Sequence, residues 1–391
     1  MLEPAIERAL AEAVTQLHAL ELGDAFEPRA AQVLVEMGLH RMCVPTSAGG
    51  LGASAAAAAE VLSAISAVDG ATGLGFAMQV HTTGALREAP DGSVPAGITK
   101  RIWSAVVDDG ALLNNAATEE GGGSPARGAI PGTRARRGSD DPATSDERAA
   151  GPTTSDEAWR VTGEKTWTTW LPNLSHAFVT ARIGETEPAD VGVFLVDLAG
   201  PGVERRPGFD ALGMRGSASG RLVLTDAPGE LILRRSVADP DPRGAAPQAW
   251  FGLAIAAVYL GIGEGARDAV AAWALDRRPG DGSSAVADIP SVQLRLGRMD
   301  MGLRAARIVV LEVARCWDEE HEASDVGLAK LVATRAAVDA TDEALRIAGG
   351  PGFLVGRLER AFRDARAGLI NPPLEDVALA GFARSVLDRQ R

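Results

Sequence analysis

Two short segments carry the residues best suited to chemistry. The first, Asn115-Ala116-Ala117-Thr118-Glu119-Glu120-Gly121-Gly122-Gly123-Ser124, sets a threonine, two acids and a serine around three glycines. The second, Gly163-Glu164-Lys165-Thr166-Trp167-Thr168-Thr169, interleaves hydroxyls with one lysine and one tryptophan. Glycines let a loop approach a bulky ligand without Cβ clashes. The hydroxyls of Thr118, Ser124 and Thr169 can bond ring heteroatoms or phosphate oxygens, and Trp167 can lay an aromatic face against a flat ring. A glycine-rich turn before a strand is also what an ordinary turn looks like. The information lies in the order of the two segments and in the motifs downstream of them.

Other residues of possible chemical use stand alone. His81, in Phe76-Ala77-Met78-Gln79-Val80-His81, sits on an apolar helical stretch, where an imidazole serves either as a core residue or as a titratable group of a site. Glu375 and Asp376 come after Pro372-Pro373, the place for acids in the first turn of a last helix. Cys43 and Cys316 imply neither a disulfide framework nor a metal site, so a reducing cytoplasm is expected and no metal.

The bulk properties describe an ordinary soluble chain. Its 391 residues suggest two or three domains, and 46% hydrophobic with 23% charged residues is globular composition. A net charge of −13 argues against a nucleic-acid footprint. Basic residues are almost all arginine; the lysines are Lys100, Lys165 and Lys330. Met1 to Leu22 reads as an amphipathic helix and not a signal segment. No apolar run is expected to reach the ~18 residues of a membrane span.

Periodicity divides the chain into three. Residues 1–111 are helical in spacing, as in Ala31 to Met37 and Ala55 to Ile65. Residues 112–235 hold short β-branched runs such as Val191 to Val196 and Arg221 to Leu224, bounded by Gly, Pro and Asp. Residues 236–391 return to helix. There Val292, Leu296, Met299, Leu303, Ala306, Val310, Val313 and Trp317 step by fours and threes, an apolar stripe for a bundle core or a subunit interface. A further helix is expected from about Val326 to Ile347, stopped by Gly349-Gly350. Residues 125–157, with the near-repeat Pro142 to Glu147 and Pro152 to Glu157, are too polar to offset ordering entropy; a disordered hairpin-like insertion is expected.

The helix–β–helix order, with its motifs, resembles the acyl-CoA dehydrogenase family almost end to end. Thr118 to Ser124 and Gly163 to Thr169 resemble its flavin-cradling segments, and Val44 to Gly52 its Pro-x-x-x-Gly-Gly-x-Gly. Leu212 to Ser217, Arg346 to Phe353 and Arg363-Asp364-Ala365 resemble later segments. The resemblance implies an α+β multidomain fold: an N-terminal all-α domain, a middle β-barrel-like domain and a C-terminal four-helix bundle. It also implies FAD between the β domain and the bundle. Thr118, Gly123, Ser124, Trp167 and Thr169 match positions around the flavin ring and phosphates. Gly349 and Gly350 match glycines near the adenosine, and Arg346 stands where the family has Gln. Arg278 matches an arginine that reaches the diphosphate of a neighbouring subunit, although a helix C-terminus favours an arginine in any case.

One part of the family pattern is missing. Desaturating an acyl thioester needs a base for the α-proton, a Glu in this family. Counting the family interval from Arg363-Asp364-Ala365 lands on Pro372, and the alternative position, counted back from Leu260-Gly261, lands on Phe251 with Gly252 beside it. Glu375 is the nearest carboxylate and His81 the other candidate. Three functions are consistent with this: an acyl-CoA dehydrogenase-type oxidoreductase, a flavin monooxygenase using reduced flavin and oxygen, or a half-active subunit whose partner supplies the Glu. The implied partners are an acyl-CoA or related substrate, an electron-transfer protein or oxygen as acceptor, and further copies of the chain as a dimer or tetramer.

Overall fold

The computed structural model describes residues 2–121, 130–138, 159–185, 188–280 and 283–391. Gly123, Ser124 and most of the 125–157 segment lie outside the described residues. In chain order the helices are α1 (Pro4–His18), α2 (Pro28–Glu36), α3 (Ala55–Val68), α4 (Gly70–Arg87), α5 (Ala96–Asp109), α6 (Ala246–Asp276), α7 (Pro290–Glu320), α8 (Val326–Ala348), α9 (Arg357–Ala365) and α10 (Glu375–Asp388). The strands are β1 (Leu113–Ala116), β2 (Arg134–Arg137), β3 (Trp159–Thr168), β4 (His176–Ile183), β5 (Asp190–Asp197), β6 (Val203–Arg206) and β7 (Gly220–Ser236). They form two compact units, one of Met1–Ala85, Asp210–Ser217 and Ala245–Arg391, the other of Leu86–Phe209 and Ala218–Gly244.

The first unit is helical. Helices α3, α6, α7 and α8 pack side by side as its core. Along α7, Val292, Met299, Leu303, Ala306, Val310, Val313 and Trp317 are buried, as the stripe requires, while Leu296 is only half-buried. Each large side chain buried in this way contributes about 1.5–3 kcal/mol. The start of α3 shows how sequence and tertiary structure share a capping task. Ser54 accepts from the N–H of Ala57, and the Asp318 carboxylate, near the end of α7, accepts from those of Ala55 (2.6 Å) and Ala56 (3.0 Å). The free N–H groups of a helix start need such partners. Deeper in the bundle Arg307 of α7 grips Glu264 of α6 with two bonds (2.8 and 2.7 Å), and Ser63 of α3 donates to the same carboxylate (2.8 Å).

Helix α6 corrects one expectation. It is long and apolar enough to cross a membrane by composition, but 94% of its most apolar window is buried inside the protein. It is apolar on all sides because α3, α7, α8 and α9 surround it. Gly261 and Gly265 let α3 come close: a Cβ at either would collide with the carbonyls of Ser63 and Ala67.

The second unit is built on a sheet that closes on itself. β4 pairs β5, β5 pairs β7, β7 pairs β3, β3 pairs β2, and β2 returns to β4. This ring is the barrel-like middle region, with β1 parallel to β4 and β6 antiparallel to β7. It also corrects the reading of 125–157 as wholly disordered. Arg134–Arg137 is β2, a strand needed for ring closure, with Ala135 buried. Polar composition hid it because only one of its four side chains turns inward, the others being exposed arginines.

Candidate active site

In the sheet unit the two glycine-rich segments meet. The N–H of Thr166 donates to the carbonyl of Thr118 at 2.9 Å, so the turn at 117–121 lies along β3. Below it the Lys165 ammonium, fully buried, donates to Glu119 Oε1 at 2.5 Å. The same carboxylate accepts from the N–H groups of Gly132 (2.6 Å) and Thr133 (3.1 Å). Burial alone would raise the Glu119 pKa, but Lys165 and the Thr133 N–H hold it below the usual carboxylate value. On the outside Arg221 of β7 pairs with Glu120 and with Glu164 (2.8 Å). One turn is thus fixed to β3 and β7 from inside and outside.

This clamp sets the posture of Trp167. The β3–β7 register shifts between Lys165 and Thr168, a bulge that re-aims the side chain between them. Trp167 takes φ 57°, a left-handed conformation unfavourable to a residue with a Cβ, and leaves 49% of its surface open. Its ring stacks on Phe209 (centroids 4.1 Å, 21° between planes), and Arg221 lies over the Phe209 ring at 4.8 Å. Next to it the Thr169 hydroxyl shares a hydrogen bond with Ser219 at 3.0 Å. Beneath, Asn114 of β1 donates to the Thr169 carbonyl at 3.1 Å.

These residues fit a flat heteroaromatic ligand. A half-exposed indole held in a strained bulge, a threonine hydroxyl beside it and the nearby Thr118 offer stacking and polar contact together. Space over Gly121 is open, with nothing within 4 Å of an added Cβ.

In the helical unit the two positions matching the family's base, Phe251 and Pro372, fall along α6. Phe251 meets the buried His81 of α4 edge-on, ring centroids 5.2 Å apart. Seven residues separate Gly252 from Tyr259, two turns, so both lie on one face of α6. Asn371 Nδ2 donates to the Tyr259 hydroxyl at 2.8 Å, and a Cβ on Gly252 would lie 3.8 Å from Pro373 Cδ. The stretch Asn371–Pro373 therefore runs along that face, with Pro372 between its two anchors. Upstream of it Lys330 of α8, buried, donates to the carbonyl of Gly368 at 2.7 Å. Burial pushes the Lys330 ammonium down to about 8.

Glu375 does not join this group. It opens α10 and pairs with Arg335 of α8, so it does not take the place of the missing base. The prolines end the preceding turn, and the acid takes the first helical turn, where the dipole favours it. The other residues expected around a cofactor lie on the surface of the helical unit. Arg278 is exposed just beyond α6, and Arg346 is exposed and bonded to Glu343 at 2.5 Å. Gly349 and Gly350 are open, Gly349 at φ 62°.

Sequence patterns of the acyl-CoA dehydrogenase N-terminal, middle and C-terminal domains match residues 1–89, 114–227 and 250–371. The putative acyl-CoA dehydrogenase YdbM of Bacillus subtilis (strain 168) is 32% identical over 372 residues, covering 93% of this chain and 90% of that protein. The chain belongs to the acyl-CoA dehydrogenase family. That family consists of flavoenzyme oxidoreductases acting on CH–CH groups. Butyryl-CoA dehydrogenase from Megasphaera elsdenii shares the fold of this family member (TM-score 0.81, 19% identity, 99% of each chain). So does dibenzothiophene monooxygenase TdsC from Paenibacillus sp. A11-2 (TM-score 0.74, 19% identity, 96% and 95% of the chains). At these identities the two structures establish the acyl-CoA dehydrogenase fold and nothing finer.

The Glu119–Lys165 pair, the Trp167–Phe209 stack and the Tyr259–Asn371 bond were not legible as contacts in the sequence. The one available signal was a lysine inside a motif, in a chain that otherwise uses arginine.

Proposed function

We propose that this chain is an FAD-dependent oxidoreductase of acyl-CoA dehydrogenase type acting on a CoA thioester or a related acyl compound. The observation that carries the reading is the Glu119–Lys165 clamp, which holds the Thr118 turn against β3 beside an exposed, strained Trp167 and the Thr169 hydroxyl. When bound, the flavin would supply a two-electron acceptor. Trp167 would stack on its ring and the hydroxyls of Thr118 and Thr169 would contact its polar edge; Gly123 and Ser124, which follow in the sequence, complete the proposed set. The guanidinium of Arg278 suits a diphosphate, since its fork bonds two oxygens at once. The open backbone at Gly349-Gly350 and the Arg346 side chain suit the adenosine and phosphate portions.

The functional organisation in this reading is 1–111, 112–235 and 236–391, working as a cytoplasmic homo-oligomer in lipid metabolism. Arg278 serves a neighbouring copy. The exposed apolar residues Leu294, Met301 and Ile308, seven apart on α7, are a surface such an assembly would cover.

A second reading, monooxygenation with oxygen as acceptor, is favoured by one observation. Phe251 and Pro372 occupy both family base positions, and the titratable side chain packed against Phe251 is His81, not a carboxylate. His81 would then hold or move a proton for the oxygen reaction, and no thioester base is needed. Anaerobic titration of the flavin-loaded protein with acyl-CoAs separates the readings. Bleaching supports dehydrogenation. Absence of bleaching, with oxygen consumption and formation of an oxygenated product when reduced flavin is supplied, supports the second, and inactivity in both assays contradicts the two together.

A further inference from the structure

Helix α9 is an arginine clasp around one buried acid. Arg357 donates to the Ala67 carbonyl (2.9 Å), and Arg360 donates to that of Leu22 (2.6 Å) and lies 3.4 Å from Asp69. Arg363 bonds the Leu212 carbonyl (3.1 Å), Asp24 (2.9 Å) and Glu359, and Arg366 pairs with Asp342 of α8. Each guanidinium is thus committed to another acceptor. Between them Asp364, 3% exposed, accepts the backbone N–H of Met214 at 2.5 Å, a contact spanning 150 residues.

Met214 belongs to the loop Asp210–Ser217, which is part of the helical unit although the strands on either side of it are not. The loop seats on α9 at three successive points. Leu212 accepts from Arg363, a Cβ on Gly213 would collide with the Arg363 carbonyl, and Met214 donates to Asp364. Met214 is held at φ 57°, a conformation that needs the surrounding contacts to keep it.

We propose that Asp364 is a protonation-controlled latch on the 210–217 loop: neutral, it holds the loop against α9, and ionised, it lets the loop leave. The carbonyl oxygen of a neutral carboxyl still accepts the Met214 N–H, so the closed arrangement needs no charge. The ionised form meets a low-dielectric site shared with a second buried acid, Asp69, and with the enclosed Tyr259 ring of α6. The charged groups facing it are Arg360 and Arg363 on its own helix and Asp69 at the α3–α4 junction. Arg357, Asp24, Arg215 and the Arg366–Asp342 pair lie further out. Burial, with the Asp69 charge adding to it, outweighs the Met214 bond and the two arginines, and Asp364 is pushed up to about 7.

Linkage gives the direction. A carboxyl whose folded value lies above its ordinary 3.8 stabilises the closed state fully below 3.8, and that stabilisation is lost as pH rises through about 7. Gly213 and Met214 lie directly on the Arg363–Asp364 backbone and carboxyl; in the proposed latch their departure admits water to the carboxylate, a gain that exceeds the lost Met214 bond, so deprotonation and opening favour one another.

The test is hydrogen exchange at the Met214 amide in the full chain, wild type and Asp364→Asn, with rates corrected for intrinsic exchange at pH of about 6 and about 8. The wild-type opening constant is expected to rise about tenfold across that interval. The carboxamide variant keeps the acceptor without titrating and is expected to change less than about twofold. Tyr259 is the only tyrosine. A sample labelled at the tyrosine ζ carbon therefore gives one resonance, whose shift should follow Asp364 ionisation near neutrality in the wild type and stay still in the variant. Equal pH dependence in both proteins, or none in the wild type, overturns the latch. If Asp364→Asn fails to fold, the wild type alone decides. A rise at Met214 without one at Val258, deep in α6, supports the latch, and no selective rise refutes it. None of these readouts depends on the proposed activity.

Discussion

Glu119 and Lys165 stand 46 residues apart and form a 2.5 Å ion pair whose ammonium is fully enclosed. This pair joins the two segments that the sequence offers for ligand binding, so under the proposed function ligand affinity and local stability share one contact. Lys165→Met should cost about 3–5 kcal/mol, because a partly buried carboxylate loses its cation. Urea denaturation of the purified protein reads that loss directly. A change below about 1 kcal/mol would place the pair in the range of surface salt bridges.

The same pair sets a pH signature at the acid end. Glu119 has its pKa held below the usual 4.5, so its stabilising contribution is present above 4.5 and is lost as pH falls through the lower folded value. The stability gap between wild type and Glu119→Gln should therefore narrow on acidification below 4.5. A gap that widens there would reverse the assignment.

Trp167→Gly separates fold from function. Glycine relieves the left-handed backbone conformation, worth about 1–2 kcal/mol, and offsets much of what the Phe209 stack supplies, about 0.5–1.5 kcal/mol. Stability should change by no more than about 1 kcal/mol, while flavin affinity falls at least about tenfold, roughly the loss of one aromatic stacking contact. Thermal melting and flavin titration on the same sample measure both. Unchanged affinity would remove Trp167 from the cofactor site.

Glu375→Gln should leave flavin reduction by any acyl-CoA intact. Its carboxylate is exposed and paired with Arg335, so the cost is that of a surface pair, at most about 1 kcal/mol. A general base contributes about 10²–10⁴ in rate. A loss on that scale in this variant would show that the helix start moves inward when substrate binds.

What the sequence made legible came from period and spacing. The α7 stripe is buried almost as its steps of three and four demand, and α8 runs Val326–Ala348 against an expected Val326–Ile347. The strand runs at Val191 and Arg221 lie in β5 and β7. Contacts across long separations were not legible, because nothing local marks which acid a buried lysine will meet. β2 was missed since a strand with one inward side chain has too little apolar pattern to register. The placement of Glu375 turned on the turn geometry of Asn371–Pro373, which the Tyr259 hydroxyl and the Gly252 face decide from more than a hundred residues away.

The central claim is that the Thr118 turn and the Trp167 bulge hold a flavin. Purified protein titrated with FAD, read by visible absorbance and quenching of tryptophan fluorescence, tests it most directly. The expected result is one flavin per chain, with the bound spectrum altered by stacking, and clearly weaker binding in Thr169→Ala without loss of fold. A colourless protein that takes up no flavin from excess FAD or FMN, while its melting temperature stays unmoved, would contradict the account.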